Sequence, residues 1–73
     1  MTQEEFAKKL GAKIREKRLA KGIKQTKLAA SIDVEKQTLY RIEKGGTNLS
    51  SYTIHQIAQA LGVKTKDLVD FED

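Results

Sequence analysis

The stretch from Gln25 to Gly45, Gln-Thr-Lys-Leu-Ala-Ala-Ser-Ile-Asp-Val-Glu-Lys-Gln-Thr-Leu-Tyr-Arg-Ile-Glu-Lys-Gly, constrains the fold more than any other part of the chain. Its apolar residues recur at helical spacing in two short runs, with Leu28 and Ala29 directed inward in the first and Leu39 and Ile42 in the second. Ile32 and Val34 flank a lone turn residue, Asp33, and the second run stops at Gly45. The pattern therefore reads as two short helices meeting at a tight turn.

The flanking sequence is helical as well. Thr2 and Glu5 form the Thr-x-x-Glu pattern of a capping box, which starts a first helix carrying Phe6, Leu10 and Ile14 at every fourth position, and Gly22 supplies a left-handed stop. The second helix is expected from about Gln25 to Ser31 and the third from about Lys36 to Lys44. A fourth begins after Ser50, a good N-cap, places Ile54, Ile57, Ala58 and Leu61 at core spacing, and ends at Gly62. Thr65 is expected to cap a last short helix with Leu68, Val69 and Phe71. The expected class is all-α, five helices in one domain over residues 1–73 with the helix-turn-helix at 25–45. A chain this short buries only about 60% of its unfolded surface, so dimerisation would help it.

Within the third helix, an advance of about 100° per residue from Leu39 puts Glu35, Ile42 and Glu43 on the buried side. Gln37, Tyr40, Arg41 and Lys44 fall on the opposite side. An amide, a phenol, a guanidinium and an ammonium suit base edges and adjacent phosphates, although a merely solvated face has similar composition. Charge agrees with an anionic partner: the net is +4 with a pI near 9.5, and Lys8 to Lys44 holds twelve Lys or Arg against four acids, a local excess of +8. Asp67, Asp70, Glu72 and Asp73 form an acidic end unsuited to phosphate.

Other chemistries find little support. With no cysteine and one histidine, disulfide, thiolate and structural zinc chemistry are excluded. No apolar stretch approaches the roughly 20 residues of a membrane span, and the N-terminus reads as an acidic helix rather than a signal, so a cytoplasmic protein with no membrane partner is expected. No nucleophile-base pair, phosphate-cradling glycine motif or metal set is present, so no enzyme activity, cofactor or small-molecule ligand is expected. His55 lies about 100° from Ile54 on the fourth helix and reads as a surface or boundary residue.

Taken together, Leu10-Gly-Ala-Lys-Ile-Arg-Glu-Lys-Arg18, Gly22-Ile-Lys-Gln25, Leu28-Ala29, Thr38-Leu-Tyr-Arg-Ile-Glu-Lys-Gly45 and Thr53-Ile-His-Gln-Ile-Ala-Gln-Ala-Leu-Gly-Val63 resemble the lambda-repressor-like, Cro/XRE-type DNA-binding family over nearly the whole chain. The resemblance implies a compact five-helix bundle whose third helix lies in the major groove of double-stranded DNA. It assigns base contacts to Lys36, Gln37 and Arg41, with Tyr40 adjacent; Gln suits adenine, and Arg or Lys suits guanine. Backbone contacts fall to Lys24, Gln25, Thr26, Thr38, Lys44 and the loop Gly46-Thr47-Asn48, a segment that also reads as a plain turn. Gln25 is expected to donate its amide to phosphate while its oxygen accepts from the third helix. Arg18 continues the inward line of the first helix, and a buried guanidinium requires a partner. Family members holding this Arg and Glu43 pair them beneath the motif, and the same structural ion pair is expected here.

Three departures stand out: Lys24 where a hydroxyl cap is frequent, Asp33 where glycine is usual, and Leu49 where many members have proline. Asp tolerates the left-handed conformation better than most residues. Lys27 makes the second helix basic, unlike activators that present acids there, so repression by occlusion is the simpler expectation. The expected function is a sequence-specific transcriptional repressor, a homodimer on a palindromic operator, with Val63, Leu68, Val69 and Phe71 as its dimer contact. Its length resembles restriction-modification controllers and small phage repressors. The rival is a protein-interaction module, an antitoxin or adaptor using the same fold, and the salt dependence of binding separates the two. Coating of single strands is disfavoured because the chain lacks an aromatic stacking platform.

Overall fold

In a computed structural model, which describes residues 1–71, α1 (Gln3–Ala20) is followed by α2 (Gln25–Ser31), α3 (Lys36–Glu43), α4 (Ser51–Leu61) and α5 (Thr65–Val69), and there is no strand among the described residues. The terminal acids Glu72 and Asp73 lie outside them. Side-chain caps start two of the helices as expected. Thr2 Oγ1 accepts the Glu5 N–H at 3.1 Å while the Glu5 carboxylate accepts the Thr2 N–H at 3.2 Å, and Ser50 Oγ accepts the Thr53 N–H at 3.1 Å. The start of α5 differs by one residue: Lys64 holds the cap position and its N–H donates to the Asp67 carboxylate at 3.1 Å, while Thr65 is already helical.

A shared closing turn ends α1, α2, α3 and α4. At Gly22, Asp33, Gly45 and Gly62 the backbone turns to φ values of +68, +58, +80 and +71°. The N–H of the next residue then reaches back to a carbonyl in the last helical turn: Ile23 to Arg18, Val34 to Ala29, Gly46 to Arg41 and Val63 to Ala58. These bonds satisfy carbonyls that a helix end would otherwise leave unpaired. In three of the four the following residue, Ile23, Val34 or Val63, packs its aliphatic side chain against the core. Asp33 thus does the work of glycine in the turn of the motif, with its polar side chain exposed.

The core gathers Leu10 and Ile14 of α1, Leu28 and Ala29 of α2 with Ile32 at its C-terminal end, Leu39 and Ile42 of α3, Ile54, Ile57, Ala58 and Leu61 of α4, and Leu68 of α5. Complete burial of one such aliphatic side chain stabilises by about 1.5–3 kcal/mol. Two expected inward residues turn elsewhere. The buried face of α1 is made by Ala7, Leu10, Gly11, Ile14 and Arg18, whose mean direction lies roughly 100° from Phe6 at about 100° per residue. Phe6 is therefore 38% exposed, its ring meeting Phe71 edge-on at 5.4 Å. Glu35 is exposed because it is the N-cap of α3 with extended backbone (φ −76°, ψ 155°), outside the helical rotation that would have turned it inward.

Between α1 and α3 the packing brings backbone against backbone. A Cβ built at Gly11 would collide with the carbonyl oxygen of Ile42 and stand 2.7 Å from that of Glu43, and one built at Gly45 would stand 2.6 Å from Lys8 Cα. One turn of α1 therefore rests directly on the C-terminal end of α3. Gly to Ala inside a helix ordinarily gains up to about 1 kcal/mol. Here we expect Gly11→Ala to lose about 1–3 kcal/mol in urea denaturation, the range of an overpacked core. A gain of stability in that variant would show that the two backbones are not in contact.

Candidate nucleic-acid interface

The site is assembled from beneath by one carboxylate. Glu43 is carried inward on the last turn of α3, and Arg18 on the last turn of α1 meets it with two parallel bonds, Nε to Oε2 at 2.7 Å and Nη2 to Oε1 at 3.1 Å. The remaining guanidinium edge donates from Nη1 to the Ile23 carbonyl at 2.9 Å, just past the end of α1. Gln25 Nε2 is a third donor to the carboxylate, reaching Glu43 Oε1 at 3.1 Å. The side chains of Arg18 and Glu43 are 9% and 2% exposed, and among the described residues no buried side-chain nitrogen or oxygen lacks a partner. Two-pronged Arg–carboxylate geometry in which each guanidinium nitrogen and both carboxylate oxygens have a partner is the arrangement in which a buried pair is tolerated.

Gln25 departs from expectation in its orientation. An ionised carboxylate is acceptor-only, so the amide nitrogen, not the oxygen, must turn toward Glu43. The amide's second N–H and its oxygen remain for a ligand. Lys24 supplies no side-chain cap to α2.

Above this layer an open groove of about 720 Å³ runs between α1, α2 and α3, lined by Ala12, Arg15, Arg18, Lys24, Gln25, Thr26, Lys36, Tyr40, Glu43 and Lys44. With Arg18 neutralised by Glu43, Arg15, Lys24, Lys36 and Lys44 leave it strongly cationic. Lys44 Nζ stands 5.5 Å from the centre of the Tyr40 ring, which is 52% exposed. Gln37 and Arg41 are exposed on α3 but do not line the groove, so the helix shows one set of side chains to the groove and another outward. Thr38 is half-buried. Gly46, Thr47 and Asn48 are exposed but line a separate depression with Gln3, Glu4 and Ala7, apart from the basic groove. His55 is exposed, with Nδ1 3.3 Å from Thr65 Oγ1.

Two placements revise the sequence reading. Arg15 was not singled out, yet it lines the groove; its position one turn before Arg18, on the flank of the same helix, was the available signal. Leu68, expected at a dimer contact, has no exposed surface because the other helices cover it completely, whereas Val63, Val69 and Phe71 retain some.

The family described as Helix-turn-helix matches residues 14–68. The chain is 44% identical over 62 residues to the control protein C.BamHI of Bacillus amyloliquefaciens, covering 84% of this chain and 76% of that protein. Among solved structures, the restriction-modification controller protein C.AhdI from Aeromonas hydrophila superposes with a TM-score of 0.86 at 29% identity, over 93% of this chain and 99% of that one. The clp gene regulator ClgR from Corynebacterium glutamicum gives 0.84 at 30% identity, over 86% and 82%.

Removing the carboxylate should expose its structural weight. Glu43→Ala leaves Arg18 buried without its counter-charge, and urea denaturation should show a loss of about 3–5 kcal/mol. Glu16→Ala, which breaks the peripheral Lys13–Glu16 contact at 4.0 Å, should cost no more than about 1 kcal/mol. Equal losses in the two variants would mean that the buried pair does not hold the helices together.

Proposed function

The chain belongs to the helix-turn-helix family of transcriptional regulators, and on that premise we propose that it binds a specific double-stranded DNA sequence with α3 in the major groove. The observation that carries the reading is the exposed surface of α3, with Lys36 and Tyr40 lining a cationic groove and Gln37 and Arg41 turned outward from it, on a helix anchored from below by Glu43. Base discrimination falls to those four residues, and Lys24, Gln25, Thr26, Thr38, Lys44 and Arg15 hold the phosphates, with the loop Gly46-Thr47-Asn48 as a further backbone contact. The resident partner is DNA in the cytoplasm. Likeness to C.BamHI and C.AhdI supports a controller of a restriction-modification system.

The regulator acts as a homodimer on a palindromic operator, with Val63, Val69 and Phe71 beside α5 as the self-contact and half-sites about one helical turn apart. Repression by occlusion suits it, since α2 carries Lys27 and no acid with which to recruit a basic partner. Sedimentation across a dilution series reaching tens of micromolar, with and without operator, should show dimer; monomer throughout would remove the palindrome from the proposal.

Selection of bound sequences from a random duplex library should enrich a palindrome, and Arg41→Ala should relax preference at one symmetry-related position, a loss of about 1–3 kcal/mol of discrimination. Arg15→Ala should instead weaken binding to all sequences alike and lower the slope of log K against log salt by about 1. Folded protein that enriches no sequence would direct attention to a protein partner.

A further inference from the structure

Glu35 is the one acidic side chain at the leading end of α3, and it is exposed. Its carboxylate makes no cap bond to the helix, and among the described residues it has no hydrogen bond or ion pair. Nor does its own helix offer a counter-charge. The residues three and four positions on are Thr38 and Leu39, and Lys36, next in sequence, belongs to the groove on the α2 side. An unneutralised acid on a surface that meets phosphate is repelled by it, so this position is unfavourable for nonspecific DNA binding.

The N-terminal residues of a recognition helix are those that reach base edges. There, an acceptor-only group finds two donors in the major groove, the amino groups of cytosine and adenine. Adenine sets an acceptor, N7, beside its donor, so a carboxylate suits cytosine best. We propose that Glu35 is a specificity-determining residue that accepts a hydrogen bond from the N4 amino group of a cytosine in each half-site. The inference rests on α3 entering the major groove. Its chemistry complements Lys36 and Arg41: those select purine acceptors by attraction, whereas Glu35 selects a pyrimidine donor and penalises every sequence that lacks one.

The test is selection from a random duplex library with the wild-type chain, Glu35→Ala, Glu35→Gln and Arg41→Ala, each verified as folded by far-ultraviolet circular dichroism and thermal melting. Wild type should prefer cytosine at one symmetry-related position by about 5- to 150-fold. Glu35→Ala should abolish that preference while tightening binding to unrelated duplex. Glu35→Gln should move it toward adenine, which an amide matches with donor and acceptor together. A mere helix-dipole role for the acid would lower the melting temperature and leave the preferred bases unaltered, which overturns the proposal. So does a change at the position that Arg41→Ala also relaxes, since Glu35 would then act through Arg41. Failure of the wild type to enrich any sequence sinks the DNA-reading function itself and this inference with it; an intact wild-type preference unmoved by either Glu35 variant sinks the inference alone.

Discussion

Three segments of the chain meet at the Glu43 carboxylate. Arg18 brings the end of α1, Gln25 the start of α2, and Glu43 itself the last turn of α3. Through its third edge Arg18 also grips the Ile23 carbonyl, fixing the link between α1 and α2. Ionic and hydrogen-bonding demands are directional where apolar contacts are not, so this cluster sets the relative orientation of helices that the aliphatic core merely holds close. The basic groove inherits its shape from that orientation, and Arg18 and Glu43 are both part of its floor.

Much of this was legible in the residue pattern. The helix order and the caps at Thr2 and Ser50 follow from periodicity and capping chemistry, whereas the left-handed turn at Asp33 and the Arg18–Glu43 pair drew on the family resemblance as well as on the tolerance of Asp for that conformation and the cost of an unpaired buried charge. What escaped depends on where a local rule stops applying. Helical rotation alone would turn Glu35 to the buried side, but it sits at the cap, where the backbone is extended. Phe6 was placed on a four-residue line that drifts about 40° per step, carrying it off the buried face. The Gln25 amide turned because a carboxylate cannot donate, a fact available only once Glu43 was known to be its neighbour. Gly11 gave no signal at all, since a helical glycine announces close approach only when the opposing backbone is seen.

Charge is distributed with the same division between layers. The buried pair cancels itself, leaving the groove cations unopposed and one exposed acid at the tip of α3. A surface of unrelieved positive charge would adhere to any duplex. A regulator must instead find a rare site among many competitors, and in the proposed complex mixed signs at the leading end of α3 favour discrimination over bare affinity.

The resting of α1 on the carbonyl end of α3 also limits how that helix can move. With Gly11 against the Ile42 and Glu43 carbonyls, and Gly45 against the Lys8 backbone and its Cγ, the two main chains meet almost directly. Sliding α3 along its axis, or tilting it about its C-terminus, would drive main chain into main chain. α3 is thus already immobilised, and its ordering entropy is met during folding rather than on binding a ligand. On the proposed reading of DNA by α3, the same rigidity leaves the duplex to adapt its groove to the helix, and sequence preference would then follow from DNA deformability as well as from base contacts.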